Sequence, residues 1–277
     1  MNAGEGDFSV RHILVAVDAA VNSSAVLETA ARLARSFNAE LNGIFVEDIN
    51  LLRLAGLPFA RELTWSTAVE LHLDYQRMER ALRGHAAHAQ QAVVNITTQL
   101  KQHASLQIVR GQVIEELLRA AEGVDLFVLG KGGKIRGARI GVIARQVVQQ
   151  AHCSVLLVQQ NVQHHNAVMT RFSGNPRCEQ LLYAAALMAR ALQKTLQVQI
   201  AASSPADFHR LREQCRQRLG QVPLSVSYRN ISGEAAYPNQ QVPRDESVGI
   251  AVIDAESDSI ELGTRLAKLE CSALLVH

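Results

Sequence analysis

Short runs of Val, Ile and Leu recur along the chain, and each is followed by a stretch whose apolar residues keep helical spacing. Arg11–Asp18 (RHILVAVD) is one such run and ends in an aspartate; between about residues 22 and 37, Val26, Leu27, Ala30, Leu33 and Ala34 then fall on one helical face. This predicts a strand followed by a helix. Ala39–Val46 predicts a second strand. The segment EDINLLRLAGLPFAREL beyond it is broken by Gly56 and Pro58 and reads as a loop. Its Leu51, Leu52, Leu54, Leu57 and Phe59 are too apolar to be left in water, so packing is the expectation. A long helix is predicted from about Thr67 to His103, then a strand at Ser105–Val109, a helix at Gln112–Ala121, and a strand at Asp125–Gly130 that is apolar on both faces. The helix IARQVVQQA and the strand Ser154–Val158 close the series. Strands separated by helices need right-handed crossovers, so the sheet should be parallel with helices on both faces.

The pattern then restarts. HCSVLLVQ (His152–Gln159) recurs as ECSALLVH (Glu270–His277), closing each half with the same strand. Ala167–Thr170 stands for the first strand of the copy, Pro176–Lys194 for its first helix, LQVQIAA for its second strand and Gly249–Asp254 for its fourth. Two tandem, doubly wound, five-stranded α/β domains follow, 1–160 and 161–277, joined by the polar linker Asn161–Asn166. The copy is eroded. Its third helix is replaced by a stretch holding Pro238 and Pro243, each of which removes a backbone donor. Aligning the fourth strands sets Asp254 against Gly130, and six fewer residues separate Asp254 from Cys271 than separate Gly130 from Cys153. The deletion falls in a glycine-rich loop that only the first domain retains.

That loop carries the candidate chemistry. In a sheet of this winding the first and fourth strands lie side by side where strand order reverses, and ligands bind beyond their carboxyl ends. Asp18 and Gly130 end those strands. The stretch from Gly130 to Gly141, GKGGKIRGARIG, holds five glycines whose bare backbone can turn N–H groups toward an anion, and a helix N-terminus follows. No Asp or Glu occurs between Asp125 and Glu179, while Lys131, Lys134, Arg136, Arg139 and Arg145 crowd the loop and the next helix. With a net charge of only +2 over 277 residues, the positive field is local, which argues against nucleic acid as a partner. The Gly133-Lys134 pair is followed by Ile135, so the loop is no Walker P-loop, and its position after the fourth strand sets it apart from the dinucleotide fingerprint.

Other signals are bland. Cys153, Cys178, Cys215 and Cys271 are widely spaced and read as free thiols. His85 and His88 share a helical face without a third ligand nearby, which reads as a solvated surface. The polar start MNAGEGDF and the lack of a long apolar run lead to the expectation of a cytoplasmic protein with no membrane insertion.

VAVD at the first strand, VRGQVIEELLRAA before the fourth, GKGG after it and AHCSVLLV at the close together resemble the universal stress protein family, in its two-domain form with a degenerate second domain. The resemblance implies a Rossmann-like, adenine nucleotide alpha hydrolase-like fold and a stress-response role. It implies ATP or another adenine nucleotide as ligand, with magnesium as a companion. By position it places the nucleoside at Asp18 and Val46, the phosphate turn at Gly130 and Gly133, and the helix entry at Gly141; Ala19, Val142 and the loop cations Lys131, Lys134 and Arg136 complete the expected cofactor-binding set. At Val142 the family pattern has Ser or Thr, so one phosphate hydrogen bond is lost, and the spacer is about two residues short. A smaller nucleotide or a cyclic dinucleotide suits such a rebuilt loop equally. The resemblance further implies that the halves pack as a pseudo-dimer through their terminal strands, with a homodimer as a further level of assembly.

Three functions are thus in play. The first is a nucleotide-binding regulator whose loop orders on occupancy. The second is a scaffold or interaction module that binds no nucleotide. The third is a slow nucleotidase with Asp18, Glu47 or Asp48 holding magnesium, for which no paired nucleophile and base is visible.

Overall fold

A computed structural model of the chain describes residues 8–18, 23–57, 61–64, 69–72, 74–132, 140–159, 166–220, 223–231, 248–256 and 259–277. The first half runs β1 (His12–Ala16), α1 (Ser23–Phe37), β2 (Glu40–Asp48), α2 (Ile49–Ala55), β3 (Arg61–Thr64), β4 (Val69–His72), α3 (Tyr75–Leu100), β5 (Ala104–Gly111), α4 (Val113–Ala120), β6 (Leu126–Gly130), α5 (Val142–Gln150) and β7 (Ser154–Val158). The second runs β8 (Ala167–Phe172), α6 (Pro176–Ala191), β9 (Thr195–Ile200), α7 (Pro205–Leu219), β10 (Val226–Asn230), β11 (Val248–Asp254), α8 (Ser259–Lys268) and β12 (Ser272–Val276).

Ten strands form one sheet in the order β10-β9-β8-β11-β12-β7-β6-β1-β2-β5. Each half contributes five parallel strands wound in the same sense, and the halves meet where β7 and β12 pair antiparallel, Leu156 opposite Leu274. The sequence reason is plain. SVLLV and SALLV are apolar on both faces and each would otherwise end a sheet with unpaired N–H and C=O groups; pairing them satisfies the backbone and buries every residue of both strands. The expected packing of the halves through their terminal strands is therefore what the fold shows.

Strand residues alternate between two cores. One, under α1, α3, α6 and α7, takes Ile13, Val15, Leu126, Val128, Leu156 and Leu274; the other, under α4, α5 and α8, takes Leu14, Phe127, Leu129, Val155, Leu157 and Leu275. Both cores run across the seam. Helix starts are set by caps: Asn175 accepts from the Cys178 N–H with Pro176 at the first position of α6, and Ser204 does the same for α7 with Pro205.

Three expectations need correction. The long helix starts at Tyr75 instead of about Thr67, because Asp74 accepts from the N–H groups of Gln76 and Arg77 as an N-cap, and the residues before it form the antiparallel β3·β4 pair. The segment after β2 is not all loop, since Asp48 caps the short helix α2. Of the residues expected to pack, Leu52 is buried; Leu51 and Leu54 on the helix's other side and Leu57 beyond its end are exposed, and Phe59 lies outside the described residues. α7 also had no counterpart in the pattern of apolar runs, because it is rich in charged and polar residues and buries only Leu211, Cys215 and Leu219, with Phe208 packed beside them. The proline-bearing stretch at 232–247 lies outside the described residues.

Candidate functional site

β1 lies between β2 and β6, with Val15 opposite both Gly43 and Val128. Asp18 and Gly130 therefore leave the sheet from neighbouring strands on the same carboxyl edge, as their sequence positions predict. Both are exposed. Among the described residues, a Cβ built on Gly130 would meet only the Cγ2 of Val26 in α1, at 3.8 Å, so the described atoms leave room above the strand end. The return from the loop is held at its base: Lys131 donates its N–H to the Val158 carbonyl at 2.9 Å, and the Gly141 N–H donates to the Lys131 carbonyl at 2.9 Å. Gly141 then caps α5 with no side chain of its own. The cap residue therefore offers no side-chain acceptor to the first amides of that helix, a setting that suits an anion. Val142 is 75% exposed.

Val46 sits near the carboxyl end of β2, partly buried against the second core. Ala19, Gly133, Lys134 and Arg136 lie outside the described residues. Of the expected site residues, the structure thus brings Asp18, Val46, Gly130, Gly141 and Val142 to one end of the first half.

Lys131 is the exception. Expected among the cations offered to a phosphate, it is instead 1% exposed, and its ammonium donates to the carbonyl oxygens of Leu269 and, at 3.3 Å, Cys271 in the second half. Burial pushes its pKa below the ordinary lysine value, while the electrostatic influence of Cys271 and Glu270 works the other way. Its side chain crosses the seam; only its backbone belongs to the loop.

The acids considered for magnesium are engaged as well. Glu47 is buried and accepts from Arg110 at 2.8 Å, and the same guanidinium reaches Glu79 at 3.7 Å. Asp48 accepts the Asn50 N–H at 2.9 Å as the cap of α2. Both carboxylates have structural work, so a metal held by Glu47 and Asp48 does not fit this arrangement.

In the second half, Asp254 ends β11 where Gly130 ends β6. Its Oδ1 accepts from the Nε and Nη2 of Arg177 at 2.9 and 2.7 Å, and the same Nη2 donates to the Val276 carbonyl at 2.7 Å. The Glu256 N–H also donates to that Oδ1, at 3.1 Å. An ion pair thus stands at the strand end where the first half has a bare glycine. Arg177 was not singled out from the sequence. Its signal was available in the repeat, since an acid replacing a glycine at a strand end calls for a cation, and Arg177 lies in the first turn of the facing helix.

Residues 9–159 match the universal stress protein family, and the chain belongs to that family. A universal stress protein of Methanocaldococcus jannaschii is 29% identical over 158 residues, covering 56% of this chain and 85% of that one. Among solved structures, a universal stress protein of Archaeoglobus fulgidus shares the fold over 98% of both chains with a TM-score of 0.67 at 13% identity. A putative universal stress protein of Pseudomonas aeruginosa does so over 97% of this chain and 94% of its own, with a TM-score of 0.59 at 16% identity. No helix among the described residues is long and apolar enough to cross a membrane.

Proposed function

We propose that this chain is a regulator that binds one adenine nucleotide, or a related anionic nucleotide such as ATP, at the carboxyl ends of β1 and β6 in its first half. The observation that carries the reading is the contrast between the two strand ends. Among the described residues only Val26 approaches the place a side chain would take at Gly130, whereas Asp254 and Arg177 fill the equivalent place in the second half. A bare glycine at a switch point followed by an uncapped helix start is what close approach of a phosphate requires. Occupancy would alter the surface that a partner reads. Of the three acids considered for magnesium, Glu47 and Asp48 are engaged in an ion pair and a helix cap, so the nucleotide is read as a ligand.

A second reading, a scaffold without nucleotide, is favoured by two facts. Lys131 spends its charge on the second half, and Val142 brings no hydroxyl to a phosphate. A lost hydroxyl to a charged group costs on the order of 1.5–3 kcal/mol, enough to weaken a site without abolishing it. The two readings separate by denaturing freshly purified protein and analysing the supernatant by mass spectrometry. Thermal shift with ATP, ADP, AMP and cyclic nucleotides then follows on nucleotide-free protein. Co-purified nucleotide or a selective shift supports the binding reading; neither leaves the scaffold. Sedimentation velocity with and without nucleotide tests whether a homodimer and occupancy are linked.

A further inference from the structure

Both flanks of the glycine-rich loop rest on α8 of the second half. At its start, the buried Lys131 sends its ammonium to the carbonyls of Leu269 and Cys271, which follow the last turn of α8. Both acceptor residues are themselves buried. The carboxyl end of a helix is its negative pole and carries carbonyls without intrahelical partners, so a lysine is the chemically fitting cap, here supplied from 138 residues away. At the far flank, Arg145 in the first turn of α5 lies over Gly263 in the middle of α8. A Cβ on that glycine would stand 3.3 Å from its Nη2 and 3.5 Å from its Nε. Glycine inside a helix is destabilising relative to alanine, and at this position it makes room for the guanidinium.

Two cations that bracket the loop thus both reach the second half, Lys131 bonding the turn that follows α8 and Arg145 lying over Gly263 within it. Their backbones fix the loop's entry and exit: the Lys131 carbonyl receives the Gly141 N–H, and the Gly141 carbonyl receives the Arg145 N–H, each at 2.9 Å. We infer that α8 is the platform on which the anion loop of the first half is built, with Lys131 and Arg145 as positioning residues that set where its two ends stand. The second half is then retained as the support of the surviving site. A nucleotide held by the loop is coupled to the α8–β12 turn, and by reciprocity a change in that turn alters affinity at the loop. The coupling to ligand rests on the nucleotide reading; the mechanical support does not.

The test uses the full chain. Lys131→Met keeps the length of the side chain and removes the donors, and Gly263→Leu fills the place of the Arg145 guanidinium from the second-half side. Leu211→Ala in α7 is a control that lowers stability without touching α8. Backbone hydrogen exchange without ligand is read at residues 130–132, 141–145 and 269–271. Roughly tenfold faster exchange at the loop flanks is expected in Lys131→Met and Gly263→Leu but not in the control, within the range of ordinary coupling between sites. Lys131→Arg, which retains donors, should recover part of the protection. Unchanged exchange at 141–145 in both variants, or an equal rise in the control, overturns the proposal. ATP affinity of the same proteins is the second arm. If the unaltered chain binds ATP, Lys131→Met should weaken it about tenfold, and unaltered affinity in that variant overturns the coupling to ligand. If the unaltered chain binds no ATP, the nucleotide reading falls, and the exchange data still decide the platform.

Discussion

Replacing either member of the Arg177–Asp254 pair is the sharpest test of how the second mouth is closed. The side chains are 25% and 31% exposed, so water screens the pair only in part. Two guanidinium nitrogens converge on one carboxylate oxygen at 2.9 and 2.7 Å, and Arg177 spends a further bond on the Val276 carbonyl. A hydrogen bond to a charged group contributes about 1.5–3 kcal/mol when its loss leaves the partner unsatisfied. Asp254→Ala removes the acceptor shared by Arg177 and the Glu256 N–H, and should cost about 2–3 kcal/mol. Arg177→Ala also strips the Val276 carbonyl of a donor and should cost at least as much. The double variant should fall short of the sum by about 1–2 kcal/mol, above the range of exposed pairs. Urea denaturation of the four proteins under one buffer supplies the numbers. A coupling energy below about 0.5 kcal/mol would place the pair with ordinary surface ion pairs and refute the claim that it closes this mouth.

Other consequences follow from the same geometry. Cys153, Cys215 and Cys271 are buried and Cys178 is not, so iodoacetamide near neutral pH should label Cys178 alone until the chain unfolds. Burial raises the thiols of Cys153 and Cys271 to about 11 and that of Cys215 to about 12, from 9.0. The unfolded chain therefore loses these protons first, and the stability they contribute is full below pH 9.0 and declines through about 11 for Cys153 and Cys271 and about 12 for Cys215. Thiolate absorbance of the folded protein should lag that of the unfolded protein across this window; coincident curves would contradict the burial. In β2, a Cβ on Gly43 would stand 3.0 Å from Leu106 Cδ1 and 3.3 Å from the Ser105 carbonyl oxygen, a backbone atom that cannot swing aside. Gly43→Ala should lose about 1–3 kcal/mol by overpacking, and a stabilised variant in urea would refute the crowding.

The winding was legible because it is written in local composition: five-residue apolar runs such as LFVLG and SVLLV announce buried strands, and the two closing strands, nearly alike in letters, meet at the seam. Neighbouring placement of Asp18 and Gly130 followed from topology alone. Partners distant in sequence were not legible. The glycine-loop lysines looked equivalent, yet Lys131 finds its acceptors 138 and 140 residues on, and nothing in its neighbours signals a buried ammonium. The start of α3 was misplaced because residues 67–74 lack a breaker, while the decisive feature, the Asp74 cap, is a single side-chain geometry. The exposed Leu51, Leu54 and Leu57 show that an apolar segment predicts contact only for the face a short helix turns inward.

Isothermal titration of nucleotide-free protein with ATP, run side by side with Gly130→Asp, addresses the central claim most directly. One site per chain in the unaltered protein, with loss of that site in Gly130→Asp, is the predicted result. Two sites per chain, or equal binding by the variant, would contradict the assignment of a single open mouth at the end of β6.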